Sequence, residues 1–257
     1  MVDRDDILAE LGLAPTWRLR GSMSGRTAMP ASDATDDRAA PTSFAATDPT
    51  PEARVARIEV LEWRDFAVHV DACTACGLAH SRKKTVPGVG DARADWLFVG
   101  EAPGSEEDLR GEPFVGQAGK LLDNMLAALG MKRGQNVYIA NVLKCRPPNN
   151  RTPEPREVDA CRPYLDRQIA LIRPKLIVAL GRSAAATLLG VDATIASLRG
   201  RVHRYRNVPL VVTYHPAYLL RNLPDKSKAW EDLVFARRTL RAADAAADPA
   251  QVGILPP

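Results

Sequence analysis

Four kinds of reactive side chain stand just beyond apolar runs in this chain. Glu101 follows "DWLFVG" in the motif "GEAPG", and Phe114 lies further along in "EPFVGQAG". Asn141 ends "NVYIAN" and opens "NVLKCRPPNN", and His215 follows "VPLVVTY" in "HPAYLL". A planar, polar ligand suits such a set: an aromatic face to stack on, an amide to read an edge, and a donor for an oxygen. Each residue also has an ordinary reading, as core phenylalanine, turn asparagine, strand cap or solvated acid. All four follow strands, and loops beyond strand C-termini are where parallel sheets place their sites. Together they point to a site. The acids of "GSEED" beside Glu101 are unexpected, because the chain has 35 Lys+Arg against 31 Asp+Glu and a formal net charge of +4. That balance suggests a polyanionic partner.

The cysteines number four, Cys73, Cys76, Cys145 and Cys161. They are too few for a disulfide scaffold in 257 residues. Their order is C-x2-C, a long gap, then C-x15-C. A CxxC reads as a metal half-site, a redox pair or coincidence. No convincing strand precedes "HVDACTACGLAH", as a thioredoxin-like pair would need. Four thiols brought together suit zinc or an iron–sulfur cluster, and the spacing alone barely separates the two.

The elements that must position these residues follow from periodicity. Residues 1–53 read as a flexible, disordered extension with one short helical pattern at Ile7, Leu8 and Leu11, able to dock a protein partner. Residues 54–243 read as one globular domain, and 244–257 as a loose tail. Within the domain, "ARVARIEVLEWRDFAVHV" has helical spacing. "DWLFVG", "NVYIANV", "PKLIVAL" and "VPLVVTY" read as strands. Helices follow in "GQAGKLLDNMLAALG", "TPEPREVDACRPYLDRQIALI", "GRSAAATLLG" and "KSKAWEDLVFARRTLRAA". The expected fold is α/β, a central mostly parallel four-stranded sheet with helices on both faces. "MVDRDDILAE" lacks the pattern of a secretory signal, and apolar runs such as "LIVAL" are too short to span a bilayer. A soluble, monomeric, cytoplasmic protein with no membrane partner is expected. Gly88-Val-Gly90 precedes its strand, so it does not read as a dinucleotide loop, and GxSxG and GK[ST] are missing.

The motifs "GEAPGSEED", "EPFVGQAG", "NVLKCRPP" and "HPAYLL", with the four cysteines, closely resemble the family 4 uracil-DNA glycosylases over roughly residues 70 to 240. The resemblance implies a base-excision repair enzyme with a [4Fe–4S] cluster held by Cys73, Cys76, Cys145 and Cys161, acting on uracil in single- or double-stranded DNA. It implies that Phe114 stacks on the flipped uracil, that the Asn141 amide reads N3–H and O4, and that His215 donates toward O2. Glu101 takes the role of the carboxylate near the sugar. Ala102 stands where the best-known uracil glycosylases carry their catalytic aspartate, and Glu107 would crowd the C5 edge. The stretch "KCRPPNNRTP" lacks the longer His-bearing loop of the related group that traps its substrate covalently, so hydrolysis with turnover is implied. Lys144, Arg146 and Arg221, with Arg151 and Lys228, are candidates for holding phosphate. Two alternatives accompany this reading, a glycosylase for another deaminated base and a non-catalytic DNA-binding protein with the same fold.

Overall fold

The computed structural model describes residues 50–247. The expected flexible extension lies outside them except at its end, as do the last ten residues of the expected tail. The described chain opens with α1 (Pro51–Glu59) and α2 (Trp63–Asp71), one run in the periodicity but two helices in the fold. The Thr50 hydroxyl caps α1 at the Ala53 amide, so helix replaces linker three residues before the expected domain boundary. The remaining elements are β1 (Val89–Gly90), β2 (Trp96–Gly100), α3 (Ser105–Arg110), α4 (Gln117–Ala128), β3 (Val137–Asn141), α5 (Pro155–Ile172) and β4 (Leu176–Leu180). After them come α6 (Arg182–Leu189), α7 (Ile195–Leu198), β5 (His203–Tyr205), β6 (Val208–Thr213), α8 (Pro216–Leu219) and α9 (Asp225–Ala247). No described helix is long and apolar enough to cross a membrane.

The strands form one sheet in the order β1-β3-β2-β4-β6-β5. Its centre is the expected parallel set, with Gly100 of β2 opposite Asn141 of β3 and Val99 opposite Ala179 of β4. Two short antiparallel edges, β1 and β5, widen four strands to six. Strands β2, β3 and β4 are buried along their whole length, which explains why they read as unbroken apolar runs. Alternate residues serve opposite layers. Leu97 and Val99 pack with α1, α2, α5 and α6, whereas Trp96 and Phe98 pack with α4 and α9.

Parallel pairing sets the C-terminal ends of β2, β3, β4 and β6 along one edge of the sheet, so the loops carrying Glu101, Asn141 and His215 converge there. The end of β6 is pinned from behind. Asp232 of α9, 1% exposed, accepts from Thr213 Oγ1 at 3.0 Å and from Arg199 Nε at 3.1 Å, two residues before His215. Arg199 also donates to Glu231 and to the Lys228 carbonyl. Arg199→Ala leaves the Asp232 carboxylate buried beside a single hydroxyl, which should cost about 3 kcal/mol. Urea unfolding should show a lower midpoint with an unchanged slope. A midpoint equal to that of the parent would mean that the pair contributes nothing to this edge.

Candidate active site

The loops enclose a cleft of about 470 Å³ lined by, among others, Glu101, Ala102, Glu107, Phe114, Asn141 and His215. The structure therefore brings together every residue that the sequence singled out for the chemistry and for the base. Gly100, the last residue of β2, makes their approach possible. A Cβ there would lie 2.4 Å from Asn141 Oδ1 and 2.6 Å from Phe114 Cζ. Two main-chain bonds lock the β2 and β3 loops together: Val142 donates to the Gly100 carbonyl and Leu143 to that of Glu101.

Asn141 is 2% exposed, and its Oδ1 is buried without a hydrogen-bond partner. Such an acceptor is costly unless something supplies a donor. Phe114 has φ of +55°, a backbone conformation that a non-glycine residue adopts at a cost. Arg133 holds it there, donating to the Pro113 and Phe114 carbonyls at 2.7 and 2.8 Å. Gly119 yields the room, since a Cβ at that position would sit 1.8 Å from the Phe114 oxygen. The Phe114 ring stacks on His215 with centroids 5.5 Å apart.

His215 caps the N-terminus of α8, its Nδ1 accepting from the Ala217 amide at 3.1 Å. Burial, then the nearby Arg221 charge, lowers its pKa to about 4, against a smaller opposing effect of Glu107. At neutral pH the ring is therefore uncharged with its proton on Nε2. Gly181, at φ +93°, lets the end of β4 pass close to this ring, since a Cβ would stand 2.9 Å from that of His215. Glu101 is half-buried, which raises its pKa above 4.5, and a hydrogen bond with Ser183 partly offsets the rise.

The neighbouring acids have structural duties. Glu106, Glu107 and Asp108 occupy the first turn of α3, where a helix N-terminus favours negative charge. Glu107 accepts from the amides of Gly104, Val115 and Gly116 at 3.1, 2.9 and 3.1 Å, stitching the Glu101 loop to the Phe114 loop. Asp108 is buried and accepts from the Lys83 amide.

The cations expected to hold phosphate fare differently. Lys144 is 1% exposed with its ammonium bonded inward, so it is not a DNA contact; burial, not charge, decides its place. Arg146 is half-buried and braces Asn150. Arg151 lines the cleft but pairs bidentately with Glu157, and Lys228 pairs with Asp225. Arg221 stands exposed at the lip with no side-chain partner among the described residues. Ser183 and Arg133 were not foreseen, and Gly100 and Gly119 were quoted only within the motifs "GEAPG" and "EPFVGQAG", without a role. Tyr218, from the "HPAYLL" motif, and Asn150 also line the cleft.

The cysteines line a second pocket together with Arg82, Lys144 and Tyr164. Three sulfurs receive hydrogen bonds: Cys161 from the Lys144 amide, Cys145 from Arg82 and Cys73 from Arg54. Burial pushes the Cys161 thiol up to about 12 and raises Cys76 and Cys145 as well. Among the described residues, no three His, Cys, Asp or Glu side chains are gathered tightly enough to hold one metal ion.

The model of the Uracil DNA glycosylase superfamily matches residues 87–234, which span the sheet and all three loops. A Type-4 uracil-DNA glycosylase from Archaeoglobus fulgidus is 48% identical over 164 residues, 61% of this chain and 82% of that protein. Another from Sulfurisphaera tokodaii is 48% identical over 172 residues, 63% of this chain and 77% of the relative. A third, from Pyrobaculum aerophilum, is 44% identical over 169 residues, covering 63% and 86%. The chain belongs to the uracil-DNA glycosylase superfamily.

Proposed function

We propose that this chain hydrolyses the N-glycosidic bond of deoxyuridine in DNA, releasing uracil and leaving an abasic site for base-excision repair. The observation that carries the reading is the orphaned Oδ1 of Asn141, buried in the cleft beside Phe114. Uracil offers the missing donor at N3–H and an acceptor at O4 for the amide nitrogen. Neutral cytosine presents the opposite pattern on the same edge. A base read in this way must leave the stack, and Phe114 gives it a face to rest on. Glu107, fixed by three main-chain donors, forms the wall beside the C5 edge.

As the C1′–N1 bond breaks, its electron pair moves into the uracil ring and negative charge grows on O2. His215 then donates from Nε2, its Nδ1 being engaged by Ala217. A donor aimed at charge that develops in the transition state acts on the barrier. The sugar becomes cation-like, and the Glu101 carboxylate stabilises it and takes the proton of the water that adds to C1′. Arg221, exposed on the lip, is the cation that this reading assigns to a phosphate.

The cysteine pocket fits a [4Fe–4S] cluster. Its four thiols come from three separate segments, and N–H donors face three of the sulfurs. When bound, the cluster supplies a cross-link between the α2 end, the β3 loop and α5, remote from the bond that breaks. Protein purified without air should be brown with about four irons per chain. Colourless, fully active protein with stoichiometric zinc would contradict this assignment.

The activity itself is checked on oligonucleotides containing uracil, hypoxanthine or no lesion, followed by alkaline cleavage of abasic sites. Scission at uracil alone is expected. His215→Ala should slow single-turnover excision about a hundredfold or more while DNA affinity is nearly kept. A near-normal rate in that variant would make the His215 loop structural.

The pH profile separates the two titrating groups. Glu101 must be ionised, so the rate should fall as pH drops through its raised pKa, above the ordinary 4.5. His215, with its pKa near 4, stays neutral over that range and adds no limb near 6.5. The acid limb should vanish in Glu101→Gln and persist in His215→Gln. The reverse pattern would assign it to the imidazole, contradicting both the ionised-carboxylate role of Glu101 and the lowered pKa of His215.

A further inference from the structure

The ammonium of Lys144 donates to the main-chain carbonyl of Asn141 at 2.8 Å and to Gln168 Oε1. Its own amide donates to Cys161 Sγ at 3.3 Å, and its carbonyl accepts from the Val86 amide at 2.8 Å. Gln168 is fully buried on α5, the helix that carries Cys161. It extends the contact, donating from Nε2 to the Pro87 carbonyl at 2.7 Å and to the Tyr138 hydroxyl at 3.3 Å. One buried cation thus joins the last residue of β3 to the helix bearing a thiol of the cysteine pocket.

A buried ammonium is costly to desolvate, and a hydrophobic side chain of similar length would fill the same space without that cost. Its two hydrogen bonds, to the end of β3 and to α5, point to a positional role. The Asn141 carbonyl that it grips belongs to the residue whose Oδ1 is unsatisfied in the cleft. Val142 and Leu143, next along the chain, are tied to Gly100 and Glu101. The stretch from Asn141 to Cys145 is therefore held on one side by the catalytic loop and on the other by the cysteine pocket, and Lys144 is the link between them.

We propose that Lys144 is a positioning residue for the base-reading amide: it fixes the main chain of Asn141 to α5, so that anchoring of the cysteine loop sets where Oδ1 stands. The inference rests on the reading of Asn141 given above. Removing the ammonium leaves the Asn141 carbonyl and Gln168 Oε1 without this donor and loosens the strand end. It removes no thiol.

The test is a double-mutant cycle of Lys144→Met and Asn141→Ala on protein purified without air. Lys144→Met should keep its iron content and visible absorption, while amide exchange across residues 138–145 becomes faster. Single-turnover excision of uracil should slow about tenfold or more in the parent and no more than about twofold in Asn141→Ala, because a residue acting through Asn141 has nothing left to position. If Lys144→Met does not fold, Lys144→Gln, which keeps a donor without charge, enters the same cycle. Equal slowing in both backgrounds, or none in the parent, would overturn the proposal. Loss of iron from both Lys144 variants would overturn it too, by assigning the side chain to the cluster. A normal rate for Asn141→Ala alone would instead sink the underlying reading of Asn141, a failure visible without any change at Lys144.

Discussion

A carbonyl oxygen buried without a donor costs roughly 1–3 kcal/mol, and a fold keeps one only where something external repays it. Asn141 Oδ1 is that oxygen here. Its place is fixed from several directions at once. Gly100 leaves it room, parallel pairing of β2 and β3 sets its height, and bonds from Val142 and Leu143 hold its loop against that of Glu101. The amide is thus preorganised, and the ordering of a recognition loop need not be met when a base enters. Phe114 shows the same economy of motion. Its unfavourable backbone conformation persists because Arg133 and the missing side chain of Gly119 leave no alternative.

The stretch after β3 serves two sites. Asn141 and Cys145 lie on one short loop, so whatever holds the cysteine pocket together also limits the movement of the reading amide. The pocket itself lies against the face of the sheet packed by α1, α2 and α5, whereas the cleft opens at the strand ends. This arrangement separates the anchoring of the loop from the chemistry. His215 is secured independently, through Thr213, Asp232 and Arg199 on the α9 side. A base in the cleft would meet two groups whose supports are distinct.

Much of this was legible in the sequence, for physical reasons that differ by residue. Strands buried on both faces leave unbroken apolar runs, so β2, β3, β4 and β6 could be placed and their end loops grouped. The edges β1 and β5 are too short and too exposed for such a signal. The turn into β6 did leave a trace: Arg206 and Asn207 both have positive φ, the geometry of a two-residue hairpin, and Asn is a usual occupant. The acids after Gly104 are unexpected in a chain of net positive charge. They prove to be mainly the charged first turn of α3, with Glu107 tying two loops by their amides. Lys144 was misread because residue type suggests a surface cation, and only the fold shows that it is enclosed. Ser183 and Arg133 act across long sequence separations through side-chain hydrogen bonds, which periodicity does not encode.

The central claim is that the cleft is already shaped for uracil and is oriented by Asn141 and His215. A crystal structure of the protein soaked in free uracil tests it most directly. The account predicts the ring against Phe114, N3 within hydrogen-bonding distance of Asn141 Oδ1 and O2 toward His215 Nε2, with the three loops unmoved. Uracil bound with another edge toward Asn141, or seated only after the loops rearrange, would contradict it.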